Sequence, residues 1–437
     1  MFRFRFSTKR WMAAGVGAGL YLGALYLASA ASGQTTPAAF TWQQIKERFE
    51  AVNPALIAAR ASIDESRAAE ITAFLRPNPT FTLSTDGFQL APNFGVWQPL
   101  SGVVLTPSIS YTHERQHKRE LRLETAQKST DISQSSFADI ERGLLYTLRN
   151  SFVGVLQAKA VLENANANLA YWDQELTVNR NRYNAGDLDQ LDLNKLILQR
   201  VQFETDQQNA ILNLNTSKIG IRMLVLMDRT PLQQFDVTGP YNYSDNLPAL
   251  ETFRQAALES RPDLQLAIKN VELARLNHQL AVANGSTDPT WSVWYSHNAS
   301  FANTFANNTT GFSVSIPLRL FDRNQGEKAR TQADIGRMEK LRDAAEAQVF
   351  SDVDSAYVTL QETLNLLGRY KGTYVPLAGD IRDKTRDAFQ HGGVSLLEYL
   401  DAEKSYRDTN LNYINFIGSY LTAAAQMNQA VGKEVLP

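Results

Sequence analysis

The 437-residue sequence contains no cysteine. This absence excludes disulfide bridges, thiolate metal sites, cysteine nucleophiles and a lipid attached to an N-terminal cysteine. The formal net charge is only −2, and the sequence shows no basic footprint for nucleic acid. Phosphate-binding glycine loops and nucleophile elbows are also missing from the sequence. We therefore expect a scaffold, conduit or binding partner without a cofactor, a metal site or a catalytic site.

The N-terminus carries a targeting pattern. Four basic residues precede an apolar run from about residue 11 to residue 27, and Ala28-Ser29-Ala30 closes that run. This order predicts a secretory signal peptide over residues 1–30, with a retained anchor as the alternative. Removal of the four basic residues would change the formal charge from −2 to −6. No second run of about 18 apolar residues follows, so we predict no further transmembrane helix.

One pattern occurs twice along the chain, at a spacing of 206 to 210 residues. Segment 53–56 recurs at 261–264, segment 79–83 at 289–293, and segment 183–192 at 389–398. Each copy contains a helix start, two alternating segments, a long helix, a glycine turn and a return helix. The sequence thus predicts a first repeat over 31–229, a linker over 230–260, a second repeat over 261–432 and a tail over 433–437.

The alternating segments of each copy have the period of two that is typical of β-strands. They are about ten residues long, which is the length of a tilted strand in a membrane barrel. Aromatic residues near their ends fit a girdle at the lipid interface: Phe88, Phe94, Trp97, Trp294, Phe301 and Phe305. A soluble hairpin with aromatic core residues is the alternative. Because four strands cannot close a barrel, the membrane interpretation requires an oligomer.

Long helices follow the strand pairs. Apolar residues at steps of three, four and seven predict a coiled-coil-like helix over 118–184, about 100 Å long at 1.5 Å per residue. That length matches the depth of a periplasm. The corresponding helix over 324–390 contains Gly372 and Pro376. We predict a kink at Pro376, because proline removes a helical hydrogen bond.

The turns at the far ends of these helices are candidate docking sites. Gly186 and Gly392 fit the left-handed residue that ends a helix. Four apolar residues would be exposed beside them: Leu188, Leu191, Val394 and Leu397. This predicts docking of a partner, and packing of the two tips on each other is the alternative. Three acidic residues follow the tips: Asp192, Glu398 and Asp401. They are a solvated helix face in one chain, but a ring of identical chains would turn them into a cation-selective constriction.

The segment from His113 to His117 matches the His-Glu-x-x-His pattern of zinc proteases. That pattern requires one helix through both histidines and a third ligand downstream. Here the motif follows a predicted strand, so the two rings would not share a helix face. We expect a polar corner between strand and helix, with a zinc protease as the alternative.

These residues resemble the TolC-type outer-membrane efflux factors over nearly the whole mature chain. The most specific segments are 313–326 and 391–402, the latter with its counterpart around Gly186. The resemblance implies a mainly α fold with a membrane β-barrel portion. In that fold three copies build one twelve-stranded barrel in outer-membrane lipid, which a helical tunnel continues across the periplasm. Segment 321–326 looks most like the heavy-metal branch of the family.

The resemblance also implies a function. The chain would be the passive exit duct of a tripartite efflux system. Its partners would be a periplasmic adaptor and an inner-membrane pump of the RND type. Glu398 and Asp401 would line the periplasmic constriction. Some relatives lock the closed tunnel with a basic residue where this chain has Val394, so any lock must lie elsewhere. A soluble periplasmic coiled-coil adaptor is the alternative function.

Overall fold

The computed structural model of the chain describes residues 39–92, 94–298 and 307–436. The predicted signal peptide over residues 1–30 lies outside the described residues. None of the described helices is both long enough and apolar enough to cross a membrane.

The first half of the chain runs from a short strand through four helices and a strand pair. Its elements are β1 (Ala39–Phe40), α1 (Trp42–Val52), α2 (Pro54–Phe74), β2 (Thr80–Asp86), β3 (Val104–Thr112), α3 (Lys118–Ala185) and α4 (Gln190–Leu224). At 68 residues, α3 is about 100 Å long. The predicted helix over 118–184 matches it to within one residue.

The second half repeats this order. A 3-10 turn (Leu232–Gln234) and β4 (Asp236–Val237) join the halves, and β4 pairs in parallel with β1. The elements that follow are α5 (Leu250–Ser260), α6 (Pro262–Asn284), β5 (Thr290–Asn298), β6 (Asn308–Ser315), α7 (Gln325–Arg369), a π-helical turn (Tyr370–Tyr374), α8 (Val375–Gln390) and α9 (Leu396–Val431). The predicted fold class, a mainly helical and duplicated unit of strand pair and long helical hairpin, is confirmed.

Helix α5 has the position in the second half that α1 has in the first. It lies inside the predicted linker over 230–260, yet it has the same 11-residue length and the same place before a proline-started helix as α1. Its short apolar pattern gives a weak signal, because Phe253 and Ala257 are its only buried residues. We therefore propose that the second repeat begins at Leu250, inside the segment predicted as a linker with a small helical piece.

Proline starts the second helix of each repeat. Pro54 and Pro262 occupy the first turn of α2 and α6, where the missing N–H has no helical partner to lose. In the first repeat the side chain of Asn53 accepts hydrogen bonds from the backbone N–H groups of Ala55 and Leu56, at 3.0 and 3.2 Å. In the second, buried Arg261 takes the place of Asn53. It pairs with Asp263 at 2.6 Å and with Asp352 at 2.8 Å.

The core is a series of apolar clusters along the bundle rather than one globular centre. Two of them correspond between the repeats: Ile45, Phe49 and Leu56 in the first match Phe253, Ala257 and Leu264 in the second, each 208 residues later. A third cluster joins α3 to α7 and α9 through residues such as Val153, Leu360 and Ile417. Helix α3 lies at the centre of the bundle, since it packs against α2, α4, α6 and α9.

A four-stranded antiparallel sheet stands at one end of the helices, in the order β2-β3-β5-β6. The central pair joins the two repeats, with Thr112 opposite Thr290 and Ile109 opposite Val293. In the sheet of the single chain, β2 and β6 are the edges. Each edge has unpaired backbone groups that can accept a further strand.

Candidate gate and docking tips

The glycine turns at the ends of the hairpins have the same geometry. Gly186 has φ 88°, and Asp187 donates its N–H to the carbonyl of Arg182 at 2.9 Å. Gly392 has φ 76°, and Gly393 donates to the carbonyl of Ala388 at 2.7 Å. These are Schellman ends, in which glycine adopts the left-handed conformation without steric cost. The two tips are therefore equivalent backbone structures, 206 residues apart.

Each return helix begins with a side-chain cap at the same position. Asp189 accepts a hydrogen bond from the N–H of Asp192 at 2.8 Å. Ser395 forms a full capping box: its hydroxyl accepts from the N–H of Glu398 at 3.3 Å, and its own N–H donates to the Glu398 carboxylate at 2.8 Å. Two of the predicted gate residues thus stand in the first turn of a return helix.

The predicted tip residues divide into two groups. Leu188 and Val394 pack against a buried cluster just inside the tips. Leu191 and Leu397 remain 63% and 76% exposed. The first pair thus packs into the bundle, whereas the second pair is a matched set of exposed leucines, one on each tip.

The acidic residues past the tips differ in their partners. The carboxylate of Glu398 is held in the capping box, and the hydrogen bond from the Ser395 backbone, followed by that from its hydroxyl, lowers the pKa of Glu398. Asp192 pairs with Lys195 at 2.9 Å. Asp401 is exposed, and in the described part of the chain no cation lies within ion-pair distance of it. Of the three, Asp401 is the one whose charge is least compensated.

The cluster inside the tips is aromatic. Trp172 stacks on Phe203 with ring centroids 5.1 Å apart, and Phe389 stacks on Tyr399 at the same distance. The indole N–H of Trp172 donates to the carbonyl of Leu196 at 3.1 Å. These rings join α3, α4, α8 and α9 and hold the two hairpins side by side.

A pair of tyrosines and a pair of glutamates cross between α3 and α9 next to this cluster. The hydroxyl of Tyr171 donates to the carboxylate of Glu403 at 2.9 Å, and the hydroxyl of Tyr399 donates to that of Glu175 at 3.3 Å. Both glutamates are buried. Their burial raises the pKa of each carboxyl, and burial also raises the pKa of Tyr171 to about 12. Arg386 of α8 approaches Glu175 at 4.0 Å.

Sequence reasoning missed this crossed pair, although a signal was present. Residues 171–175 and 399–403 share the spacing Tyr-x-Asp-x-Glu. Since α3 runs toward the tip and α9 runs away from it, the same spacing on two antiparallel helices brings each tyrosine to the glutamate of the other.

The predicted kink region contains an irregular turn. Pro376 is in the first turn of α8, directly after the π-helical turn that holds Gly372. A proline has no N–H for the carbonyl four residues earlier, and a π-helical turn is one way to accommodate that loss. The long helix of the second repeat is thus interrupted where that of the first, α3, is continuous.

The two faces of the sheet differ in chemistry. The pairing places Phe81, Ile109, Val293 and Phe312 side by side across all four strands. All four are exposed in the single chain. The opposite face carries hydroxyl residues such as Thr82, Ser108, Ser110, Ser292 and Ser313. The result is one apolar face and one face of serine and threonine.

Trp294 lies on the hydroxyl face, because it pairs with Ser108 and Gly311. Trp294, predicted for the aromatic girdle, thus lies on the face opposite to Phe81, Ile109, Val293 and Phe312. Alternation in one strand could not reveal which face is apolar without the register of its neighbours. Phe88, Phe94 and Trp97 are exposed in the loop after β2. Phe301 and Phe305 lie outside the described residues.

The His113–His117 motif does not form a helical metal site. Strand β3 ends at Thr112, and the N–H of His113 donates to the carbonyl of Pro289 at 2.9 Å. His117 precedes α3 with φ 54°. Glu114, which would be the general base of a protease, is bound to the guanidinium of Arg122, with one contact at 2.8 Å. The described residues contain no group of three or more side chains that could hold a metal ion.

Comparison with known proteins supplies the context for this geometry. The family described as "Outer membrane efflux protein" matches residues 253–433. The outer membrane protein TolC of Vibrio cholerae is 23% identical over 401 residues, covering 90% of this chain and 89% of that protein. The cobalt-zinc-cadmium resistance protein CzcC of Cupriavidus metallidurans is 22% identical over 382 residues, covering 86% of each chain.

A solved structure extends the similarity to the fold. A crystal structure of CusC, from a study of folding and transmembrane channel formation, superposes with a TM-score of 0.75 at 17% sequence identity. The superposition covers 93% of this chain and 95% of CusC. The similarity therefore includes both repeats and is not confined to the matched family region.

Proposed function

The chain belongs to the outer membrane efflux protein family, and on that premise we propose that three copies form the exit duct of a tripartite efflux system. The duct lies in the outer membrane and extends into the periplasm. It has no catalytic activity of its own, and a periplasmic adaptor and an inner-membrane pump complete the system. The observation that carries this proposal is the two-faced sheet at the end of helices about 100 Å long.

The sheet supplies the membrane portion of the duct. Its apolar face, with Phe81, Ile109, Val293 and Phe312, contacts outer-membrane lipid, and its hydroxyl face lines the water-filled lumen. The open edges β2 and β6 pair between neighbouring copies, so that twelve strands close one barrel and no edge remains exposed to lipid. Phe88, Phe94 and Trp97 in the loop after β2 are the candidates for an interfacial aromatic girdle.

The tips supply the docking surface. Leu191 and Leu397 are exposed leucines at equivalent positions, and each is available to an apolar groove of an adaptor. Gly186 and Gly392 shape the turns, while Leu188 and Val394 support them from inside. Three copies present six such tips in a ring. We propose that the adaptor connects these tips to an inner-membrane pump of the RND type.

The acidic residues supply the gate. Around the three-fold axis, Asp401 and Glu398 form rings of negative charge near the tips, with Asp192 at the position equivalent to Glu398. Such rings favour cations. The interruption at Pro376 is a candidate hinge in the second repeat, farther from the tips than these rings.

The experiment that tests the function is extraction followed by conductance measurement. We expect the mature protein to require detergent for extraction from outer membranes, to have the mass of three chains in detergent, and to form ion-conducting channels in planar bilayers. The competing function, a soluble periplasmic adaptor, requires the opposite: release as a monomer without detergent and no conductance.

A further inference from the structure

The contact between the two repeats inside one chain is polar near the tips. Tyr171 and Glu403 form one half of the crossed pair between α3 and α9, and Tyr399 and Glu175 form the other. Farther from the tips, Asn410 of α9 donates to the side chain of Asn164 on α3 at 2.7 Å. We call this contact of α3 with α9 the internal seam.

A ring of copies requires an equivalent seam between chains. Inside the chain, the first repeat presents α3 to the return helix α9 of the second. In a closed ring each interface joins two different surfaces of the chain. The equivalence of the repeats points to α8 of one copy against the return helix α4 of the next. We call this contact the external seam. Within the described chain α8 packs on α9 and α4 packs on α3, which leaves the outer faces of α8 and α4 for such a contact.

The surface of α4 fits this arrangement position by position. Near the tips the repeats are offset by 206 residues, as the glycine turns and the capping residues Asp189 and Ser395 establish. Three positions of α9 that bury against the first repeat are Glu403, Arg407 and Gly418. Their equivalents on α4 are Ile197, Val201 and Leu212. In the single chain these three are 39%, 54% and 62% exposed. At these three positions α4 exposes apolar side chains, whereas the equivalent positions of α9 are covered by the first repeat.

The surface of α8 fits from the other side. The equivalents of Tyr171 and Glu175 on α8 are Leu377 and Ile381, again 206 residues later. They are 52% and 47% exposed in the single chain. Near the tips, polar residues of the internal seam therefore correspond to apolar residues on both sides of the external seam, whereas farther away Asn164 and Asn410 correspond to Tyr370 and Glu204. Exposed apolar surfaces that complement each other in this way are typical of subunit interfaces.

We propose that Leu377 of one copy packs on Ile197 of a second copy, with Ile381 extending the contact toward the tips and Val201 extending it away from them, and that the external seam is apolar where the internal seam is built of buried carboxylates and tyrosines. This inference rests on the proposed ring of three copies and adds the residues that join them near the tips. It also means that the two kinds of seam differ in chemistry near the tips: titratable side chains meet in the internal seam, and apolar side chains meet at the equivalent positions of the external seam.

The absence of cysteine makes a direct test possible. Leu377→Cys combined with Ile197→Cys, treated with a short bis-maleimide in native membranes, should give covalent dimers and trimers on a denaturing gel. The matched control is Tyr171→Cys combined with Glu403→Cys at the equivalent internal positions. That pair should react to the same extent but remain at the mass of one chain, with a shifted mobility.

The result that would overturn the inference is a Leu377→Cys, Ile197→Cys protein that has the mass of three chains in detergent but gives no covalent oligomers. A protein that has the mass of one chain in detergent would contradict the proposed function as well, so the two failures are distinguishable. As a second measurement, Leu377→Ser combined with Ile381→Ser should lower the temperature at which the native oligomer dissociates. An unchanged dissociation temperature would also count against the apolar seam.

Discussion

The indole of Trp294 fills the space that a side chain on Gly311 would need, since a Cβ at Gly311 would lie 2.1 Å from Cζ2 of the indole. The two residues face each other across β5 and β6 on the hydroxyl face of the sheet. Packing of an aromatic ring over a cross-strand glycine fixes the register of two strands. The pair therefore explains why a single large aromatic side chain is found among serines and threonines.

Replacement of Gly311 by alanine should destabilise the sheet, because the indole must move out of its position. Overpacking of this kind costs about 1–3 kcal/mol. We expect the oligomer of Gly311→Ala to dissociate at a lower temperature than wild type on denaturing gels. Gly336→Ala is the control: Gly336 lies in α7 with open space around its Cα, and alanine favours a helix. Equal dissociation temperatures for both variants would show that the indole is not constrained by Gly311.

The crossed tyrosine–glutamate pair should make the internal seam sensitive to pH. Burial raises the pKa of Glu175 and Glu403 above the ordinary 4.5. A raised pKa in the folded state means that the folded chain binds protons more tightly than the unfolded one. The stabilising contribution is therefore complete below about pH 4.5 and is lost as the pH rises through the raised values.

Hydrogen exchange of α8 and α9 at a series of pH values measures this effect. In wild type we expect exchange near the tips to become faster, after correction for the intrinsic pH dependence, as the pH rises from 4.5. Glu175→Gln combined with Glu403→Gln should abolish the dependence, since both side chains then stay neutral. The control Glu398→Gln, at an exposed carboxylate, should retain it. A double variant that retains the wild-type pH profile would contradict this prediction.

The exposed tip leucines should contribute most of the apolar contact with an adaptor. Leu191→Ser combined with Leu397→Ser should weaken binding of the purified adaptor by tenfold or more, the effect of about 1.4 kcal/mol. Leu90→Ser serves as the control, because Leu90 is equally apolar and 90% exposed but lies in the loop after β2. The Kd can be measured by surface plasmon resonance with the channel in detergent. Equal binding by the tip and loop variants would remove the tips from the docking surface.

The acidic ring should depend more on Asp401 than on Glu398. Asp401→Asn removes the least compensated of the three charges, whereas Glu398→Gln removes a charge but keeps a hydrogen-bonding capping residue. We expect the cation preference, measured as the reversal potential in a KCl gradient, to fall in both variants and to fall further in the first. Asp173→Asn is the matched control, since Asp173 has the same place in the Tyr-x-Asp-x-Glu motif but pairs with Arg200 at 2.6 Å. A reversal potential that all three variants share with wild type would exclude the ring.

The features that the sequence predicted well are those set by local chemistry. The glycine turns at Gly186 and Gly392, the helix starts at Pro54 and Pro262 and the long helix α3 follow from caps, breakers and periodicity, which need no knowledge of distant residues. The repeat strengthened each of these predictions, because every signal occurred twice. Pro376 marked an irregularity for the same local reason.

The features that the sequence did not predict depend on the partner of a residue. The face on which Trp294 lies is set by its register with Ser108 and Gly311, and a shift of one residue would reverse it. The crossed contacts of Tyr171 and Glu403 join residues 232 positions apart. A buried carboxylate cannot be recognised without its surroundings, since most glutamates on helices are solvated.

The central strand pair also determines the order of assembly. The hydroxyl oxygens of Thr112 and Thr290 lie 2.9 Å apart in the sheet, although the two residues are 178 positions apart in the chain. Each helical hairpin, by contrast, closes through a turn of a few residues. Loop closure over such a distance is slow compared with local helix formation. The hairpins can therefore fold first, and the four-stranded apolar face is complete only when the two halves meet. A chain that must cross an aqueous compartment on its way to the membrane therefore does not expose the complete apolar face of the sheet before the two halves have met.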